Sequence, residues 1–94
     1  MTNRYNITSY TRKQARKYGV TIKRSKTRGK KLDVFKNGKK IASIGALNYN
    51  DYPTYANKCG WAYASKKRRL YKIRHRRDRT KRGTPGFYAD KLLW

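Results

Sequence analysis

The side chains able to do chemistry in this chain are few in kind. There is one histidine (His75), one cysteine (Cys59), four aspartates (Asp33, Asp51, Asp78 and Asp90) and no glutamate, set against 27 lysines and arginines in 94 residues. Acid–base catalysis needs positioned groups whose proton affinities are tuned to the task. The nearest pair is His75 and Asp78, which share a helix face at i,i+3, and a local hydrogen bond explains that spacing. No nucleophile–base arrangement, P-loop or dinucleotide fingerprint is present. Cys59, His75 and the scattered aspartates do not fall at metal-ligand spacing. The expectation is therefore a non-enzymatic protein with no catalytic residue, metal or cofactor.

The cations carry the stronger signal. The formal net charge is +23 and the isoelectric point about 10.8. Eleven basic residues stand between Lys66 and Arg82: Lys66, Lys67, Arg68, Arg69, Lys72, Arg74, Arg76, Arg77, Arg79, Lys81 and Arg82, with Asp78 the only acid among them. A second patch is formed by Lys23, Arg24, Lys26, Arg28, Lys30 and Lys31. Solvated faces ordinarily mix signs, because opposite charges at i,i+4 stabilise a helix and like charges oppose it. A single-signed surface repels itself, and a partner that neutralises it stabilises the folded form. Arginine-rich clusters suit two-pronged contact with phosphate or carboxylate. Both patches are thus candidate sites for an anion, nucleic acid or acidic partner. Nothing signals sequence readout, since zinc-finger spacing, ribonucleoprotein motifs and a helix-turn-helix pattern are missing. Tyr49, Tyr52 and Tyr55 suit either base stacking or a tyrosine-rich core, and the core is the expectation.

The elements that must hold these residues read as a single α+β domain over residues 1–94, with 1–8 an irregular lead-in. Ser9 or Thr11 can cap a helix through Tyr18, and Gly19 ends it. Val20-Thr21-Ile22 alternates like a strand, and residues 23–31 read as a flexible basic loop. Asn37-Gly38 is the preferred pair for a type I′ hairpin turn. It pairs Lys36 with Lys39 and Val34 with Ile41, placing Leu32, Val34 and Ile41 on one face and Phe35, Ala42 and Ile44 on the other. Pro53 suits the first turn of a helix that Gly60 ends or interrupts. Trp61 to about Arg79 reads as one long basic helix with Tyr63, Leu70 and Ile73 near its apolar face and Ala64 and Tyr71 beside it. Thr84-Pro85 opens a last helix, and Phe87, Tyr88, Leu92, Leu93 and Trp94 form an apolar anchor for the domain itself or a neighbour. The fold expectation is a small antiparallel sheet packed by two to four helices. No apolar run approaches the roughly 20 residues of a membrane span, no secretory signal is seen, and a lone cysteine fits a reducing compartment.

Several strings resemble a family of short basic proteins from nucleocytoplasmic large DNA viruses, chlorella-type algal viruses among them. They are Tyr10-Thr11-Arg12-Lys13-Gln14-Ala15, Lys31-Leu32-Asp33-Val34-Phe35, Ala42-Ser43-Ile44-Gly45 and Asn50-Asp51-Tyr52-Pro53-Thr54-Tyr55. Arg68-Arg69-Leu70-Tyr71 with Arg74-His75, and Pro85-Gly86-Phe87-Tyr88-Ala89-Asp90-Lys91-Leu92-Leu93-Trp94, complete the set. The resemblance implies a viral origin and no catalytic residues. In that setting the expected role is a virion structural protein of the minor capsid or cement type. Its basic face would meet capsid proteins, anionic inner membrane or DNA, after synthesis in the host cytoplasm or nucleus. The alternative is a protein that condenses nucleic acid without sequence preference.

Overall fold

The computed structural model describes residues 5–94; residues 1–4, half of the expected lead-in, lie outside the described residues. Residues 5–8 carry no regular structure and deliver the chain to helix α1 (Ser9–Lys17). Its cap is Thr8, one residue earlier than expected, whose hydroxyl accepts the Thr11 N–H. Strands β1 (Thr21–Arg24), β2 (Lys30–Lys36) and β3 (Lys39–Ala46) follow and form one antiparallel sheet in the order β1-β2-β3. The basic segment 23–31 is therefore only partly a loop, since its two ends belong to β1 and β2. Helices α2 (Tyr52–Cys59), α3 (Trp61–Arg74) and α4 (Pro85–Leu93) complete the α+β fold.

The hairpin turn forms as its sequence dictates, with φ of 54° at Asn37 and 78° at Gly38, the left-handed values a type I′ turn requires. Lys36 pairs with Lys39, but a bulge then displaces the register. Phe35 faces Lys40 and Val34 faces Ala42, so Ile41 is the extra residue. An inserted residue reverses the face of everything beyond it. Leu32, Val34, Ala42 and Ile44 consequently share the buried core, while Phe35 and Ile41 are half-exposed. This corrects the expected split of the hairpin faces.

Helix α4 lies on β3 and against α1, and it closes the core with Tyr88, Leu92 and Leu93 beside Ala15 and Val20. The apolar C-terminus docks on its own domain. Thr84 caps α4 by accepting the Phe87 N–H, and Pro85 occupies its first turn. Helices α2 and α3 pack on each other as a hairpin bent at the single residue Gly60. In α3 the buried residues are Ala64 and Tyr71. Each lies one position beyond the expected Tyr63 and Leu70, which turns the packed face by about 100°. Tyr63, Leu70 and Ile73 face solvent instead. The helix also stops at Arg74, short of Arg79, and residues 75–84 are turns. Beyond Ile73 there is no apolar side chain to bury before Pro85, and like charges crowd at i,i+4, so neither packing nor pairing extends the helix.

Gly45 shows how closely α4 approaches the sheet. Its φ is +78°, and a Cβ there would lie 2.8 Å from Leu93 Cδ1 and 2.9 Å from Lys31 Cδ. Gly45→Ala should lose about 2–4 kcal/mol in chemical denaturation, from backbone strain plus overpacking. Gly29→Ala, with φ of +81° but open space around the new methyl, should lose only about 1–2 kcal/mol. Equal losses would contradict the close seat of α4 on β3.

Candidate anion-binding surface

Three of the four carboxylates are buried, and each joins parts of the fold. Asp33, in the middle strand, accepts hydrogen bonds at Oδ1 from the Ser25 hydroxyl at 2.6 Å and the Ser43 hydroxyl at 2.7 Å. Its Oδ2 accepts the Lys26 N–H at 3.4 Å and faces Lys40 Nζ at 3.7 Å. Asp51 caps α2 by accepting the Thr54 N–H at 3.1 Å, and its other oxygen takes the Tyr5 hydroxyl at 2.5 Å and Lys31 Nζ at 3.0 Å. Asp90 on α4 receives Lys72 Nζ of α3 at 2.6 Å and faces Lys91 Nζ at 3.2 Å. Lys31–Asp51 and Lys72–Asp90 are thus two charged joints between the α2–α3 hairpin and the body of β-sheet and α4. Asp78 alone is exposed, 3.6 Å from His75 Nδ1.

The ionisation of these groups follows from their surroundings. Burial disfavours charge on Asp33, but the hydroxyls of Ser25 and Ser43, the Lys26 N–H and the Lys40 charge outweigh it and hold its pKa below the ordinary value. Burial lowers the pKa of Lys31 and Lys72 against the opposing pull of Asp51 and Asp90. Burial, the Asp51 charge and the hydrogen bond to Asp51 all raise the Tyr5 hydroxyl. Tyr71 is pushed up to about 12, by burial first and then by the Asp90 charge.

The outside is left to the cations. In α3, Lys66, Arg69 and Arg74 are exposed, while Lys67 lies over the Tyr63 ring at 5.4 Å and Arg68 over the Tyr52 ring at 4.5 Å. Lys72 is engaged with Asp90. Arg76, Arg77, Lys81 and Arg82 are exposed on the turns that follow α3, and Arg79 is half-buried with its Nε donating to the Lys72 carbonyl. In the second patch Lys23, Arg24, Lys26, Arg28 and Lys30 are exposed, and Lys31 is buried against Asp51. Lys31 and Lys72 therefore hold the fold together, whereas the exposed cations of the first patch are divided between α3 and the turns after it rather than carried on one long helix. Phe87, Tyr88, Leu92, Leu93 and Trp94 are engaged in intramolecular packing, with Leu92 and Leu93 fully buried.

The two basic patches meet at a half-open groove of about 740 Å³ between β3, α3 and α4. Lys30 contributes from the second patch, and Lys67 and Arg74 from the first. Its wall includes a stack that sequence reading missed: Trp94 on Tyr71, centroids 4.4 Å apart and 7° from parallel, and Tyr71 on His75 at 4.4 Å and 29°. Only the i,i+4 spacing of Tyr71 and His75 hinted at it. Tyr52 is buried as the core expectation held, but Tyr49 stands in solvent at the same groove. Among the described residues no three His, Cys, Asp or Glu side chains come together as metal ligands, and no helix is long and apolar enough to cross a membrane. No protein-family model, curated protein or solved structure matches the chain.

Asp51→Ala removes a buried ion partner and a helix cap together, so it should lose about 3–5 kcal/mol by denaturant titration; a loss near zero would contradict the joint. For Asp33→Asn the sign follows from a lowered folded-state pKa. The wild type's advantage should be full at neutral pH and shrink as pH falls below the ordinary value of 3.8. An advantage that grows on acidification would contradict it.

Proposed function

We propose that this protein is a non-enzymatic, folded polyanion binder of a virion, and that it engages the nucleic-acid backbone without sequence preference. One observation carries the reading. The buried positions take Asp33, Asp51 and Asp90, so among the described residues the outer surface holds Asp78 as its only acidic side chain against arrays of lysine and arginine. Such a surface draws counterions, and a polyanion that displaces them gains their entropy of release. Exposed cations on α3, its following turns, β1 and the loop after β1 suit contact with the phosphates of a nucleic-acid backbone, which carry no sequence information.

A capsid-joining role has one structural feature in its favour. Trp61, Tyr63, Leu70 and Ile73 are 67, 43, 45 and 60% exposed on α3. Apolar side chains set in a charged surface fit a protein interface. Of the two expected seats for the apolar C-terminus, its own domain takes Phe87, Tyr88, Leu92, Leu93 and Trp94, which leaves less apolar surface there for a capsid neighbour.

Binding to random-sequence DNA should show a log–log salt slope of about −5 to −9, as six to ten phosphate contacts require. A slope near zero, or binding confined to one sequence, would overturn the proposal. In disrupted virions the protein should stay with the DNA; retention in shells emptied of DNA would favour the capsid role.

A further inference from the structure

We infer that the groove between β3, α3 and α4 holds an unpaired base of a single-stranded nucleic acid, with flanking phosphates on Lys30, Lys67 and Arg74. This rests on the polyanion reading above and adds to it a defined subsite. Its volume of about 740 Å³ falls in the range of roughly 300–1,000 Å³ that small-molecule sites occupy. It is half-open, as a site for a segment of a longer strand must be.

Flat apolar surface and positive charge occur here together. The buried Tyr71 ring stacks on Trp94, near-parallel at 7°, and on His75, inclined at 29°, and both of these partners are half-exposed. Tyr49 lines the same groove and is 73% exposed, the most exposed large apolar side chain among the described residues. Aromatic faces beside a cationic path are how proteins hold single strands, because every base has a face to stack and every nucleotide a phosphate to pair. A duplex cannot use the site, since its base faces are covered by their neighbours and only base edges reach its grooves. A polyanion without bases meets the cations but leaves the rings unused. Lys30 lies far from Lys67 and Arg74 in sequence, so the fold itself assembles this combination.

Trp61→Phe leaves Trp94 as the chain's only tryptophan and so makes its fluorescence a reporter. The variant is titrated with a short 2′-deoxyuridine homo-oligonucleotide, a uridine one, a duplex of equal length and heparin, at about 0.3 M salt to suppress purely electrostatic binding. Single strands should quench Trp94 saturably, and duplex and heparin should not; the stronger of the two single strands identifies the sugar. Tyr49→Ala, at an exposed position, should weaken single-strand binding roughly fivefold or more while leaving heparin binding at low salt unchanged. Arg74→Gln should weaken single-strand binding as well. Low-salt binding of all the polyanions, with no quenching and no effect of Tyr49→Ala, would overturn the groove assignment and leave the polyanion reading intact. Equal quenching by duplex would also overturn it. Failure to bind any of them at low salt would remove both.

Discussion

The structure depends on where its few negative charges go. With four carboxylates against 27 lysines and arginines, this chain cannot neutralise its surface, and it does not attempt to. Asp33 ties the middle strand to the segment after β1 and to β3, Asp51 fastens the helical hairpin to β2, and Asp90 fastens α3 to α4. Buried ion pairs add little net stability on average, yet removing one partner strands the other at high cost. They fix how the parts of a thin core sit together, and they leave the exterior almost uniformly positive.

Much of the fold was legible because local chemistry determines it. Asn37-Gly38 has one good turn to make, Thr84-Pro85 one good helix start, and Gly60 one good stop, and all three act as their residue types require. What misled was tertiary. The bulge at Ile41 is invisible to alternation counting, because it is set by the need to place Ala42 and Ile44 over Leu32 and Val34. The packed face of α3 was misjudged for a related reason. Hydrophobicity favoured Tyr63 and Leu70, but the neighbouring Ala64 and Tyr71 are the residues buried, and Tyr71 stacks on Trp94.

The basic patches were legible as composition but not as geometry. Counting charge cannot separate Lys31 and Lys72, which are held by buried aspartates, from neighbours that face solvent. Nor can it show that Lys30 meets Lys67 and Arg74 across a groove walled by stacked rings. Long-range pairing of this kind depends on sheet register and helix placement, which no short motif encodes. The proposed chemistry stands on the residues themselves.

The folded surface carries positive charge that its buried carboxylates leave unbalanced. Thermal unfolding followed across salt tests it most directly. Between about 0.01 M and about 1 M salt the Debye length shrinks from about 30 Å to about 3 Å, which removes most self-repulsion. Tm should rise by more than about 5 °C, as expected when roughly 1 kcal/mol or more of repulsion is relieved in a domain of this size. A Tm that stays level or falls over that range would mean that the internal ion pairs, and not the repelling surface, dominate the electrostatics of the fold.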